Sequence, residues 1–192
     1  MRDVEIKIKE VLSRSKDPHN QFTPFDLCSK MVSSVEWNPN KRNLVIANIE
    51  SVYFLKRQMP LNNLYFMTPC PLKAKVAMAM GVPGNNIIHI KYKNGKPILD
   101  TAVKFDVIIM NPPYNPNAVW SKFVEFAMDR LERDGKLVAI HPATWRESTK
   151  YDALAEKLKA GISELHIMDY EAFKENKVAT KTDWYVWQRN YS

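Results

Sequence analysis

A chain of 192 residues with 45% hydrophobic and 11% aromatic content is long enough to bury a full core as one domain spanning 1–192. No run of about 18 apolar residues is available to cross a bilayer, and two cysteines, Cys28 and Cys70, show no metal or redox spacing, so neither a membrane nor a metal partner is expected. The formal charge of +7 points to a polyanionic partner, nucleic acid above all, and the charged opening stretch MRDVEIKIKEVLSRSKD has no signal-peptide core, so a reduced, cytoplasmic protein is expected.

In chain order, DVEIKIKEVLSRS is read as an N-terminal helix. TPFDLCSKMVSSV is a second helix, with Thr23 as a cap, Pro24 at the first helical position and a stripe of Leu27, Met31, Val32 and Val35. Three short apolar runs follow, NLVIANI, NLYFM and NIIHIKY, with the helix PLKAKVAMAMG between the last two, closed by Gly81. FDVIIM is apolar without alternation, as in a strand of a parallel sheet covered on both faces. The helix WSKFVEFAMDRLERDG is expected to end at Gly135, the strand KLVAIHP to follow, and the helix YDALAEKLKAG to end at Gly161. ISELHIMDY and TDWYVWQRN close the chain as two strands, whose short connection suits an antiparallel return. Such alternation predicts an α/β doubly wound sheet, mostly parallel, with an antiparallel last strand.

Ligands of such sheets bind at the carboxyl ends of the strands, near the topological switch point. Two unusual loops fall there, NPPY after FDVIIM and HPATW after KLVAI. The prolines end the strand, since they cannot donate to a ladder. The four histidines, His19, His89, His141 and His166, are scattered without ligand spacing, although the His141 loop should border the site.

FDVIIMNPPY resembles motif IV of the amino-group methyltransferases, and most of the chain is similar to the TaqI-like, gamma-order N6-adenine DNA methyltransferases of restriction-modification systems. The resemblance implies a Rossmann-like class I methyltransferase fold, S-adenosyl-L-methionine as cofactor and DNA as substrate. In that reading the Asn111 side-chain oxygen and the Pro112 carbonyl accept the two N–H bonds of the target amine, and Tyr114 stacks on a flipped adenine. QFTPFDLCSKMVSSV looks like motif X, placing Thr23 and Pro24 over the methionine end of the cofactor, and DYEAFKENKVAT looks like motif VIII, making Phe173 the second stacking aromatic. Asn48 and Asn111 complete the expected cofactor set, with Glu50 and Asp100 as substitutes for acidic residues that the family carries and this sequence lacks.

The sequence also departs from the family. NLVIANIESVYFL has no glycine, and Val52 stands about where one is expected; Thr68 replaces the acidic residue that holds the ribose, and Lys91 follows NIIHI where another acid is expected. The family's target-recognition domain has no counterpart within these 192 residues, so a partner subunit or a separate recognition domain is expected. Two other readings stay open: a methyltransferase-like protein that binds nucleic acid or a partner without turnover, and an Asn-Pro-Pro-Tyr methyltransferase acting on RNA or on protein glutamine.

Overall fold

The structure, a computed structural model, describes residues 2–14, 22–114, 119–168 and 180–189. Two helices, α1 (Arg2–Ser13) and α2 (Phe25–Ser33), precede the first strand, β1 (Asn43–Ile46). Then come α3 (Ile49–Lys56), β2 (Leu64–Thr68), α4 (Pro71–Met80) and β3 (Ile87–His89). A small antiparallel hairpin, β4 (Lys91–Lys93) and β5 (Lys96–Ile98), leads to β6 (Phe105–Met110) and α5 (Val119–Asp129). The chain continues through β7 (Leu131–Pro142), α6 (Asp152–Lys159), β8 (Ile162–Met168) and β9 (Thr182–Gln188).

Among the described residues seven strands form one sheet in the order β3-β2-β1-β6-β7-β9-β8. The first five neighbours run parallel, and β9 is inserted antiparallel between β7 and β8. This is the mixed sheet of a Rossmann-like methyltransferase fold, and the order reverses between β1 and β6, which puts the crevice at their carboxyl ends.

Strand side chains alternate between two cores. Val45, Val107, Ile109, Val138, Ile140, Trp184 and Val186 pack with α1, α2 and α3, while Leu44, Ile46, Ile108, Met110, Leu137, Ala139, Tyr185 and Trp187 pack with α5 and α6. Trp184 and Trp187 are three residues apart, an odd spacing, so they fill opposite cores.

Three elements differ from expectation. NIIHIKY is not one strand: β3 ends at His89, and Lys91–Lys93 belongs to the separate β4-β5 hairpin. Helix α3 occupies IESVYFLK, a stretch without amphipathic rhythm, because Ile49, Glu50, Ser51, Val52, Phe54 and Leu55 are all buried and leave no wet face to mark the period. Helix α5 stops at Asp129 instead of running to Gly135. The Arg130 amide closes it on the Phe126 and Ala127 carbonyls, and the Arg130 carbonyl already accepts from Phe105, so the backbone joins the sheet at once. Residues 132–135 then bulge before Lys136 resumes pairing opposite Val107. Gly135 is needed in that bulge, since a Cβ there would lie 3.0 Å from the Phe105 and Asp106 carbonyl oxygens.

Gly161, between α6 and β8, is tighter still: an added Cβ would fall 2.3 Å from Trp187 Nε1 and 2.6 Å from the Gln188 carbonyl oxygen. Gly161→Ala is expected to destabilise the fold by about 1–3 kcal/mol through forced displacement of the Trp187 ring. Thermal denaturation followed by Trp fluorescence checks this, and an unchanged midpoint refutes it.

Candidate active site

The carboxyl ends of β1, β2, β6 and β7 gather most of the residues singled out from the sequence. Asn111 is the first residue past β6, and its amide donates to the Ile46 carbonyl at the end of β1 (3.3 Å), which ties the loop to the switch point. Its side chain is 5% exposed. Asn111 Nδ2 donates to Thr23 Oγ1 (2.9 Å), while Oδ1 is buried with no hydrogen-bond partner among the described residues. Thr23 therefore does not cap α2 as expected; the N-cap is Pro24 without a side-chain cap bond, and the fully buried Thr23 hydroxyl serves Asn111 instead.

Pro112 and Pro113 are buried and Tyr114 is half-buried, packed against the core beneath α5. The Tyr114 hydroxyl donates to the Ile140 carbonyl near the end of β7 (3.1 Å), and burial pushes its pKa well above the ordinary value. The ring is thus held by its distal end. Phe173 lies outside the described residues.

At the end of β1 the backbone turns sharply. The Asn48 amide donates to the Ile46 carbonyl (2.7 Å) across Ala47, whose φ is +60°. A non-glycine residue in this region carries a steric cost. The glycine-like conformation belongs to Ala47 and not to Val52, which is fully buried inside α3. Asn48 caps α3 by accepting from the Ser51 amide (3.3 Å), and its Nδ2 is buried with no partner among the described residues. Glu50 is fully buried in the first turn of α3. The Cys28 thiol, 3.3 Å from Ser51 Oγ, has its pKa raised chiefly by burial and further by the Glu50 charge.

Thr68, at the end of β2, accepts from the Cys70 amide through Oγ1 (3.1 Å). Asp100 does not join this buried group: it is paired with Lys91 (2.7 Å) just past β3, with both side chains about two-thirds exposed. A residue that sequence reasoning missed stands closer. Lys73 in the first turn of α4 is only 3% exposed, and its amine donates to the Ala47 carbonyl (3.1 Å). In the Ala- and Lys-rich α4 sequence nothing marks Lys73 as the buried lysine.

Behind the β7 loop lies a second buried network. His141 is fully buried, stacked on Trp120 with ring centroids 4.4 Å apart, and its ring nitrogens reach the Pro142 carbonyl (3.0 Å) and the Tyr185 hydroxyl (2.9 Å). Asp183, also fully buried, accepts from Trp145 Nε1 (2.9 Å) and Arg146 Nε (2.8 Å), anchoring the HPATW loop to β9. A cleft of about 460 Å³ at the amino ends of β1 and β6, lined by Lys41, Arg42, Lys104, Asp106 and Arg133, is remote from all of this, and its Lys41 is neutralised by Asp106 (2.8 Å). Among the described residues no three His, Cys, Asp or Glu side chains converge on a metal-sized site, and no helix is long and apolar enough to cross a membrane.

No family model matches the sequence, and no curated protein matches it. Solved structures do share the fold. A Listeria monocytogenes protein assigned to the class I S-adenosylmethionine-dependent methyltransferases is 13% identical, with a TM-score of 0.67 over 98% of this chain and 68% of its own. The M protein of the type I restriction enzyme EcoKI is 13% identical, with a TM-score of 0.65 over 91% of this chain and 45% of its own. DrdV, solved in complex with DNA, is 14% identical, with a TM-score of 0.67 over 89% of this chain and 27% of its own. This chain therefore spans less than half of the EcoKI M protein and of DrdV. At such identities the likeness is one of fold.

Proposed function

We propose that the chain is an S-adenosylmethionine-dependent amino-methyltransferase domain of the TaqI-like kind, acting on the exocyclic N6 of adenine in DNA. One observation carries this reading: Asn111 Nδ2 is engaged by Thr23, which leaves Oδ1 buried, unpaired among the described residues and directed by a fixed amide. An exocyclic amine is a poor nucleophile, because its lone pair is delocalised into the ring. Acceptors for its two N–H bonds favour a pyramidal nitrogen, and Asn111 Oδ1 with the Pro112 carbonyl are suited to be those acceptors. A buried acceptor held in advance does this without reorganisation cost.

The residues at the rim fit the cofactor. Asn48 Nδ2 and Asn111 Oδ1 are orphaned polar atoms on adjacent strand ends, with Thr23 between α2 and β6 and the sharp Ala47 turn beside them. Thr23, Pro24, Asn48, Glu50 and Asn111 would hold S-adenosylmethionine, with Asp100 at the more open end beyond β3. The bound cofactor supplies an electrophilic methyl on a sulfonium, so no strong base is required of the protein. DNA is the proposed partner, with sequence choice left to a recognition domain or specificity subunit; the EcoKI M protein and the DrdV–DNA complex support this direction.

The test is transfer of labelled methyl from S-adenosylmethionine to adenine-containing duplexes, with RNA oligonucleotides and a glutamine-containing peptide in parallel, alongside calorimetry with the cofactor. Label on N6 of adenine in DNA is expected. Label on RNA or peptide alone would move the substrate, and DNA binding without cofactor binding would make this a non-catalytic relative. The absence of glycine from the stretch around β1 and α3, with Val52 fully buried in the helix, is the feature that favours that last reading.

Tyr114 separates tethering from stacking. Tyr114→Phe loses only the bond to Ile140, a net of about 0.5–1.5 kcal/mol, and is expected to slow transfer by no more than roughly tenfold. Tyr114→Ala also loses base stacking, worth about 1–3 kcal/mol. With 2-aminopurine at the target position, fluorescence should rise on binding for wild type and Tyr114→Phe and much less for Tyr114→Ala. Equal signals from all three would remove Tyr114 from base stacking.

A further inference from the structure

We infer that Lys73 is a cofactor-binding residue, its ammonium donating to the ribose hydroxyls of S-adenosylmethionine in place of the acidic side chain that Thr68 has displaced; this rests on the cofactor reading above. An ammonium has three donors. Lys73 is 3% exposed, yet its one acceptor among the described residues is the Ala47 carbonyl. Burying a cation on a single carbonyl is unfavourable unless further acceptors arrive. The contact fixes where they must come from: Ala47 is the first residue past β1, and Lys73 rises from the helix that follows β2, so the ammonium bridges the carboxyl ends of these two neighbouring strands.

In nucleoside-binding sheets of this kind the ribose is held at the end of β2 by an acid that accepts from its hydroxyls. Here the residue at that position, Thr68, spends its side-chain oxygen on the Cys70 amide (3.1 Å) and is fully buried. Ribose oxygens accept as well as donate, so a lysine serves the same diol with the polarity of the bonds reversed. The turn at Ala47 contributes too. Its carbonyl accepts from the ammonium, which holds the side chain inward instead of out in solvent where the helix's other lysine, Lys75, lies.

The test is calorimetric binding of S-adenosylhomocysteine and of 5′-methylthioadenosine, which keeps the ribose and lacks the amino-acid end, to wild type and Lys73→Met, each checked for folding by circular dichroism. Both ligands are expected to bind the variant roughly 10- to 100-fold more weakly. A loss confined to S-adenosylhomocysteine would assign Lys73 to the carboxylate and overturn the ribose contact, and no loss for either ligand would leave Lys73 as a brace for Ala47 alone. Should Lys73→Met not fold, wild type carries the test by itself: 2′-deoxy-5′-methylthioadenosine should bind at least several-fold more weakly than 5′-methylthioadenosine, and equal affinities refute the contact. Wild type that binds none of these ligands refutes the cofactor reading itself, a result distinct from every outcome above.

Discussion

Asn111→Ala is expected to lower methyl transfer to adenine-containing DNA by roughly 10²–10³ at saturating cofactor. Removing one preorganised group from the charge-developing centre of an active site typically costs that much. The fold should survive, because Asn111 lies in the loop past β6 and its backbone amide, which the substitution keeps, makes the bond to Ile46. Thr23→Val gives the finer test. It keeps the shape of the buried residue and removes the acceptor that holds Asn111 Nδ2 (2.9 Å), so Oδ1 is present but no longer aimed. A loss of about tenfold is expected, intermediate between wild type and Asn111→Ala, since one neutral hydrogen bond is worth about 0.5–1.5 kcal/mol. At saturating cofactor the double variant should be no slower than Asn111→Ala, because Thr23 acts on the chemical step through Asn111 in this proposal. Near-wild-type turnover by Asn111→Ala, measured under single-turnover conditions, would take the residue out of the chemistry. Additive losses in the double variant would give Thr23 a separate role.

The parallel sheet was legible in the sequence because its strands are short apolar runs separated by helical segments with clear stops. The antiparallel direction of β9 was legible from the shortness of the connection before it; its insertion between β7 and β8 was not. The loops at the carboxyl rim were legible from proline, whose missing donor ends a strand wherever it falls. What periodicity could not reveal was α3, since a helix wrapped by α2, α4 and the sheet has no polar face. The end of α5 was hidden for the opposite reason: LERDG continues a plausible helical pattern, and only the long-range bond from Phe105 to the Arg130 carbonyl stops it.

The same limit governs the site. Asn111 and Tyr114 announce themselves by their neighbours in the chain, whereas the partner of each is remote: Thr23 is 88 residues from Asn111, and Ile140 is 26 from Tyr114. The departures from the family pattern were visible as missing residues, but their compensation was not. A left-handed alanine at position 47 and a buried lysine at position 73 have ordinary neighbours, and their pairing exists only once β1 and α4 are side by side.

Acid should weaken this protein through His141. The Pro142 carbonyl can only accept, so Nδ1 carries the proton of the neutral ring and Nε2 accepts from the Tyr185 hydroxyl. Both nitrogens are satisfied, and the ring is sealed between Trp120 and Tyr185 with no exposure. Protonation would set a second N–H against the Tyr185 hydroxyl in that dry site. Burial therefore lowers the His141 pKa from 6.5 to about 4, opposed in part by the Pro142 carbonyl and the Asp183 charge. Between those values the unfolded chain binds a proton that the folded chain refuses, so stability is whole above pH 6.5 and falls as the pH drops toward 4. The window is worth about 3 kcal/mol, which for a chain of this size is a fall of roughly 10 °C in the unfolding midpoint. His141→Gln should be less stable than wild type at pH 7 and should lack this component, so the gap between the two closes as the pH falls. Urea unfolding of both proteins from pH 7 to pH 4 measures the gap directly, with the carboxylate contributions common to both cancelling. Activity should follow, since the Ile140 carbonyl that holds Tyr114 is the residue before His141, and loosening this end of β7 frees the ring. Parallel stability profiles for wild type and His141→Gln would show that His141 titrates as it does in water, and the sealed neutral ring would have to be abandoned.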